Sequence, residues 1–157
     1  MNRRALLLTV LSISLAGCAS MQPQTASQVI AADPNLSTLN SLIKEAGLTE
    51  TLSGPGPITV FAPTNDAFKS VPARTMGELA GNRDLLKSVL SYHVVPVKAT
   101  AQDVKPGNVK TLNGANLALS RAGTFVTVEE AMVTSADKPA SNGVVHVIDR
   151  VLLPPRR

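Results

Sequence analysis

His93 and His146 are the only histidines in a chain of 157 residues. Imidazole is the side chain best suited to move a proton or hold a metal near neutral pH. Chemistry would therefore be sought first at these two positions and at Tyr92, the single tyrosine. A metal site needs further ligands at a spacing such as His-x-x-x-His or Cys-x-x-Cys, and the sequence has neither. It also lacks a Gly-x-Ser-x-Gly elbow and a glycine loop able to cradle phosphate. No catalytic, metal-ligating or cofactor-binding residue is assigned on this basis. The simplest reading of Tyr92 and His93 is that they end a helix and pack with their polar atoms hydrogen-bonded. Thr64, Asn65 and Asp66 could form a ligand loop, but all three residue types favour caps and turns, so capping of a following helix is the simpler role. Asp149 shares a two-residue period with Val145, Val147, Val151 and Leu153. An acid on an apolar face must be paired, and its expected donors lie near Thr64, Asn65 and Asp66, giving one structural polar network.

Cys18 is the only cysteine, so no internal disulfide can form. Arg3 and Arg4 precede an apolar run from Ala5 to Leu15, the layout of a secretory signal. That run is too short for a permanent span, which needs about 20 apolar residues. Leu15-Ala16-Gly17-Cys18 resembles the bacterial lipobox, in which cysteine becomes the first mature residue and its sulfur carries diacylglycerol. Two or three acyl chains, palmitate among them, hold a protein where one holds it only marginally. Ala19 stands where an aspartate would signal inner-membrane retention, which leans towards the outer membrane, facing the periplasm or the surface. The expected organisation is a signal peptide over residues 1–17, a lipidated tether over 18–26 and one domain over 27–154.

Fifteen basic and eleven acidic residues give +4, and without the signal arginines the balance is +2. With no Lys/Arg cluster, nucleic acid is not an expected partner. Phe61, Phe68, Phe125 and Tyr92 are the only aromatics, so Val, Leu, Ile and Ala must build the core.

The elements that would position these residues follow from periodicity. Asp33-Pro34 reads as a helix start. Leu36, Leu39, Leu42, Ile43 and Ala46 recur at helical spacing until Gly47, and residues 48–52 add a turn. Residues 54–57 (Gly-Pro-Gly-Pro) form a turn, and residues 58–61 a strand. Asn82 opens a second strong helix whose apolar face is Leu85, Leu86, Val89 and Leu90; it runs out near Tyr92-His93. Beyond Val97 the period becomes two, with strands over 109–112, 116–120, 124–128, 131–135 and 144–153. Asn113-Gly114 (a type I′ candidate), Ala122-Gly123 and Asn142-Gly143 mark turns between them. Helices first and strands later indicate a mainly β or α+β domain, not alternating βαβ units.

Three segments, in this order, resemble the fasciclin domain family. They are residues 59–68 (TVFAPTNDAF), 92–96 (YHVVP) and 142–154 (NGVVHVIDRVLLP). The first and last are similar to the family's two homology boxes and the middle one to its Tyr-His motif. The resemblance implies a β-sandwich or wedge of about seven strands, with helices packed mostly from the N-terminal half. It implies adhesion or ligand binding in matrices, walls and envelopes, without a shared catalytic activity. In animal members the motif matched by Tyr92-His93 is linked to integrin adhesion, which makes these two the candidate partner-binding residues. Some members carry carotenoids, so carriage of a small apolar pigment or lipid is the alternative, ahead of an envelope hydrolase. Glu129-Glu130 departs from the family pattern, where Asn or Gly is frequent, and a local loop difference is expected. The overall expectation is a non-enzymatic module, held at a membrane through Cys18, that contacts an envelope or extracellular protein or polysaccharide.

Overall fold

A computed structural model describes residues 23–155. The expected signal segment, Cys18 and the first part of the tether lie outside the described residues. Helices α1 (Ala26–Ala32), α2 (Ser37–Ala46) and α3 (Thr49–Ser53) precede strand β1 (Ile58–Pro63). Helices α4 (Asn65–Lys69), α5 (Ala73–Gly81) and α6 (Arg83–Tyr92) follow. The strands β2 (Val94–Val95), β3 (Gly107–Lys110), β4 (Asn116–Ala122), β5 (Phe125–Val128), β6 (Ala131–Ala140) and β7 (Gly143–Ile148) complete the domain.

The fold is the expected α+β wedge, with helices drawn from the N-terminal half. Its strands form one seven-stranded sheet in the order β2-β1-β7-β6-β5-β4-β3. Only β1 and β7 run parallel. The sheet folds over on itself along β6, whose pairing with β7 slips between Val133, Ser135 and Lys138. Such bulges bend a strand and raise its local twist. Two cores result. Val60 and Ala62 of β1 and Val145 and Val147 of β7 face the helices, against Leu39, Ile43, Leu86 and Val89. Phe61 and Ile148 face the other way, into Leu117, Leu119, Val126 and Val128. Every residue of β1 and β7 is buried, as in sheets covered on both faces.

Several local expectations change. Asp33 does cap, its Oδ1 accepting from Asn35 N at 3.0 Å, but it opens a 3-10 turn over Pro34–Leu36 ahead of α2. Helix α5, for which the sequence predicts no element, buries Leu79. Asn113 keeps a negative φ while Gly114 takes +87°. The loop closes with Gly114 N donating to Thr111 O at 2.9 Å, so it is not a type I′ turn. Strand β7 stops at Ile148, short of the apolar run that suggested 144–153.

Asn142-Gly143 is a junction more than a turn. Asn142 Oδ1 accepts from Ala26 N at 2.9 Å, and its Nδ2 donates to Leu52 O and Gly54 O at 2.8 and 2.9 Å. Its carbonyl accepts from Ile58 N at 3.1 Å. Gly143 is not needed for a left-handed φ. A Cβ there would lie 1.8 Å from Ile58 O, so glycine is what allows β7 to start against β1. A second tie joins Lys138 Nζ to Asp33 Oδ2. The hydrogen bond from Lys138 holds the Asp33 carboxyl below its ordinary range, against the opposing effect of burial. Gly143→Ala is expected to cost about 3 kcal/mol or more, because backbone must move to admit the methyl; urea denaturation monitored by circular dichroism measures it.

Candidate functional site

Helix α6 delivers Tyr92 and His93. Asn82 Oδ1 caps it by accepting from Leu85 N at 3.0 Å, and Leu86, Val89 and Leu90 are buried along one face. At its end His93 is 2 % exposed. Its Nδ1 lies 2.8 Å from Val89 O, and its Nε2 accepts from Leu152 N at 3.0 Å. A carbonyl can only accept, so the proton resides on Nδ1 and the ring is neutral. Burial pushes its pKa down to about 4, with the Val89 hydrogen bond working weakly the other way. His93 thus fastens the C-terminal segment to α6, and its own carbonyl accepts from Phe61 N at 2.9 Å.

Tyr92 is 3 % exposed. Its hydroxyl donates to Asn116 O at 3.1 Å and to Glu129 Oε1 at 3.2 Å. Burial, and then the neighbouring Glu129 charge, raise its pKa to about 12, so it stays a donor. Glu129 adopts φ +54°, a left-handed conformation that costs a non-glycine residue about 1–2 kcal/mol. Its carboxylate offsets this by accepting from Tyr92 and from Ala118 N at 2.9 Å. At this position, where the family pattern has Asn or Gly, glutamate takes a glycine-like conformation and its side chain locks it.

His146 mirrors His93 with the opposite tautomer. Asp137 N donates to Nδ1 at 3.2 Å, so Nε2 carries the proton and donates to Ala99 O at 2.7 Å. The ring stacks on Phe61 with centroids 5.6 Å apart. Both histidines have both nitrogens engaged, which leaves no lone pair for a metal and no free base.

The expected polar network does not assemble. Thr64 Oγ1 accepts from Ala67 N at 3.2 Å, the helix cap that was expected. Asn65 Oδ1 accepts from Thr38 N at 3.0 Å and its Nδ2 donates to Pro34 O at 3.1 Å, tying α4 to the start of α2. Asp66 pairs with Lys69 at 2.9 Å on the surface. Asp149 is exposed and its Oδ1 accepts from Met132 N at 2.8 Å. It closes the β6–β7 edge because β7 ends one residue earlier, so Asp149 never enters the apolar face. The two boxes are instead joined by the β1–β7 backbone ladder, which Thr64 N extends by donating to Ile148 O at 3.2 Å. His93 turns both ring nitrogens inward, whereas Tyr92 borders a cleft although its hydroxyl is already bonded.

What remains open to other molecules are clefts. One of about 430 Å³ is lined by Tyr92, Asn116, Glu129, Glu130, Arg150 and Leu153 among others. A larger groove of about 850 Å³ lies between α5, α6 and the C-terminal segment, with Leu79, Leu85, Val89 and Leu153 in its walls. Between helices and sheet lies a void of about 10 Å³.

The Fasciclin domain model matches residues 34–154. The chain belongs to the fasciclin domain family. Protein sll1483 of Synechocystis is 50% identical over 130 residues, covering 82% of this chain and 72% of that protein. Cell surface glycolipoprotein MPB83 of Mycobacterium bovis is 38% identical over 128 residues, 78% of this chain but 57% of its own length. The FAS1 domain pair of the insect cell adhesion molecule fasciclin I superposes with a TM-score of 0.66 at 18% identity, over 83% of this chain and 51% of that one. This last likeness concerns the fold alone.

In this fasciclin domain two measurements separate fastening from contact. His93 is neutral when folded, with a pKa of about 4 against about 6.5 unfolded. The unfolded chain binds the extra proton between these values, so the His93 contribution is complete above pH 6.5 and is lost as pH falls towards 4. The difference in unfolding free energy between the native protein and His93→Gln should shrink by about 3 kcal/mol across that window, as read by urea titrations at stepped pH. For the second, Tyr92→Phe should cost about 1–2 kcal/mol, and a double-mutant cycle with Glu129→Gly should show about 1 kcal/mol of coupling. Independent, additive effects would rule out the shared lock.

Proposed function

We propose that this fasciclin domain is a non-enzymatic binding module of the bacterial envelope, held at a membrane through lipidated Cys18, that contacts a protein or polysaccharide through its exposed loops. The observation that carries the reading is the state of both histidines: each is buried, neutral and bonded through both nitrogens. The groups a hydrolase would use are here fasteners of the fold. The Leu-Ala-Gly-Cys sequence before Ala19 supports the anchor, and among the described residues no helix is long and apolar enough to cross a membrane. A relative named as a cell surface glycolipoprotein is consistent with this placement. A second reading, carriage of a small apolar ligand, draws support from the groove between α5, α6 and the C-terminal segment, whose size suits such molecules. The interior void is far too small for one.

Two experiments test the leading reading together. Metabolic labelling with an alkynyl fatty acid should mark the native protein and fail with Cys18→Ala. Cross-linking in intact cells should trap an envelope protein or polysaccharide, and Tyr92→Phe with unaltered folding should trap it equally well. Label retained by Cys18→Ala would remove the anchor. A coloured or lipid-laden protein that traps nothing would favour the carrier.

A further inference from the structure

The two ends of the wedge differ in charge. Strands β1 and β7 both begin at one end, at Ile58 and Gly143, where β6 finishes at Ala140. A cleft of about 640 Å³ opens there, lined by Thr25, residues 53–57, Lys98 and residues 140–143, with Lys98 the one charged residue of the lining. Pro55, Gly56, Pro57, Lys98 and Ser141 are exposed, and Val97 is 45% exposed. The segment bearing Val97 and Lys98 is held firmly: Thr59 Oγ1 donates to Val97 O at 2.7 Å and accepts from Ala99 N at 2.8 Å. At the other end of the same strands lie Asp66 and Lys69 beyond β1, Asp149 and Arg150 beyond β7, and Glu129 and Glu130 between β5 and β6. Carboxylates outnumber cations there.

The chain enters the domain at the first end. Ser141 N donates to Gln24 O at 2.7 Å, and Ala26 N to Asn142 Oδ1 at 2.9 Å. From Cys18 to Gln24 there are six residue steps. In any conformation they span at most about 20 Å, whereas a domain of this size is roughly 35 Å across. A lipid on Cys18 cannot reach round to the far end.

We propose that the end formed by residues 53–57, Val97-Lys98 and Ser141 is a membrane-docking face, seated on anionic phospholipid headgroups of the bilayer that holds Cys18. The proposal rests on the reading of Cys18 as a lipid anchor. Lys98 is attracted to the headgroup charge, by an amount that shifts an orientation equilibrium roughly fivefold for one lysine. Val97, Pro55 and Pro57 meet the interface without a charge to desolvate. The acidic end is repelled and points outward, which leaves the cleft bordered by Tyr92, Glu130 and Arg150 open to solutes and partners.

The test uses the full lipidated chain in vesicles of phosphatidylethanolamine and phosphatidylglycerol. Single reporter cysteines replace Val97, Ser141 or Arg150 and carry a fluorophore, Cys18 being blocked as its thioether. Nitroxide on the lipid headgroup should quench the reporters at positions 97 and 141 several-fold more than the one at 150. Lys98→Ala and added salt should both narrow that gap. Equal or reversed quenching on protein that floats with the vesicles would overturn the docking face and leave the anchor intact. Protein that does not float, or that floats equally well as Cys18→Ala, would overturn the anchor and the docking face with it.

Discussion

The parallel contact between β1 and β7 is the constraint on which the rest of the molecule depends. Parallel strands cannot be joined by a hairpin, so helices α4 to α6 and the remaining five strands occupy the stretch between them. Their closeness requires that β7 begin with no side chain, since Gly143 sits against the Ile58 carbonyl. The preceding residue then anchors what the two strands must hold: Asn142 bonds the start of α1, the end of α3 and the first amide of β1. Elements separated by more than a hundred residues thus converge on one amide side chain. A cost follows from this arrangement. Closing so long a loop lowers chain entropy before the contact forms, so the pairing is expected late in folding, after local helices and hairpins.

Buried polar groups do the remaining fastening, and they do so in pairs of opposite sense. His93 donates through Nδ1 and accepts at Nε2; His146 accepts at Nδ1 and donates through Nε2. Each acts where no regular ladder bond is available, His93 beyond the end of α6 and His146 at the break in the β6–β7 pairing. His93 links α6 to the C-terminal segment, and His146 links β7 to Asp137 in the β6 bulge and to Ala99. The bulge has a purpose in this light. Asp137 takes φ +55°, and that turn aims its amide at His146 while its carboxylate accepts from Ala101 N at 2.8 Å. With Thr59 and Arg121 also bonded to it, the connection between β2 and β3 is tied down at several points although it contains no regular element.

Much of this was legible in the sequence, for identifiable reasons. Helices α2 and α6 announce themselves through a long apolar stripe and a stop or cap, Gly47 (φ +71°) and Asn82. Helix α5 does not: it carries Gly77 and ends on Gly81, lacks a side-chain cap and buries only Leu79. The hydrophobic segments of β1 and β7 mark strands well, but strands buried on both faces carry no alternation to fix their ends. That is why a two-residue period continued past Ile148 places Asp149 on an apolar face, although β7 has already ended. Thr59, a polar residue in an otherwise apolar strand, was the missed signal; its hydroxyl both donates and accepts. The helix-capping role of Thr64 was visible because cap chemistry is local. The tautomers of the histidines were not, because each depends on a partner more than fifty residues away or on a bulge without a sequence mark.

The same division bears on where recognition can reside. The side chains whose types promise chemistry, Tyr92, His93 and His146, are all buried. Their substitution would change the fold before it changed any contact, so a loss of binding in such variants is not evidence of a binding site. Glu129 makes the point most sharply. It holds a strained backbone, yet its carboxylate accepts from both a tyrosine hydroxyl and the Ala118 amide. One edge of the cleft beside it is therefore fixed in shape, while Glu130 and Arg150 on the rim form only a loose, solvent-exposed pair at 3.8 Å. Exposed pairs of this kind contribute little stability, which leaves both side chains free to reorganise around a ligand. The cleft thus combines an edge fixed by buried hydrogen bonds with a rim of adaptable charges.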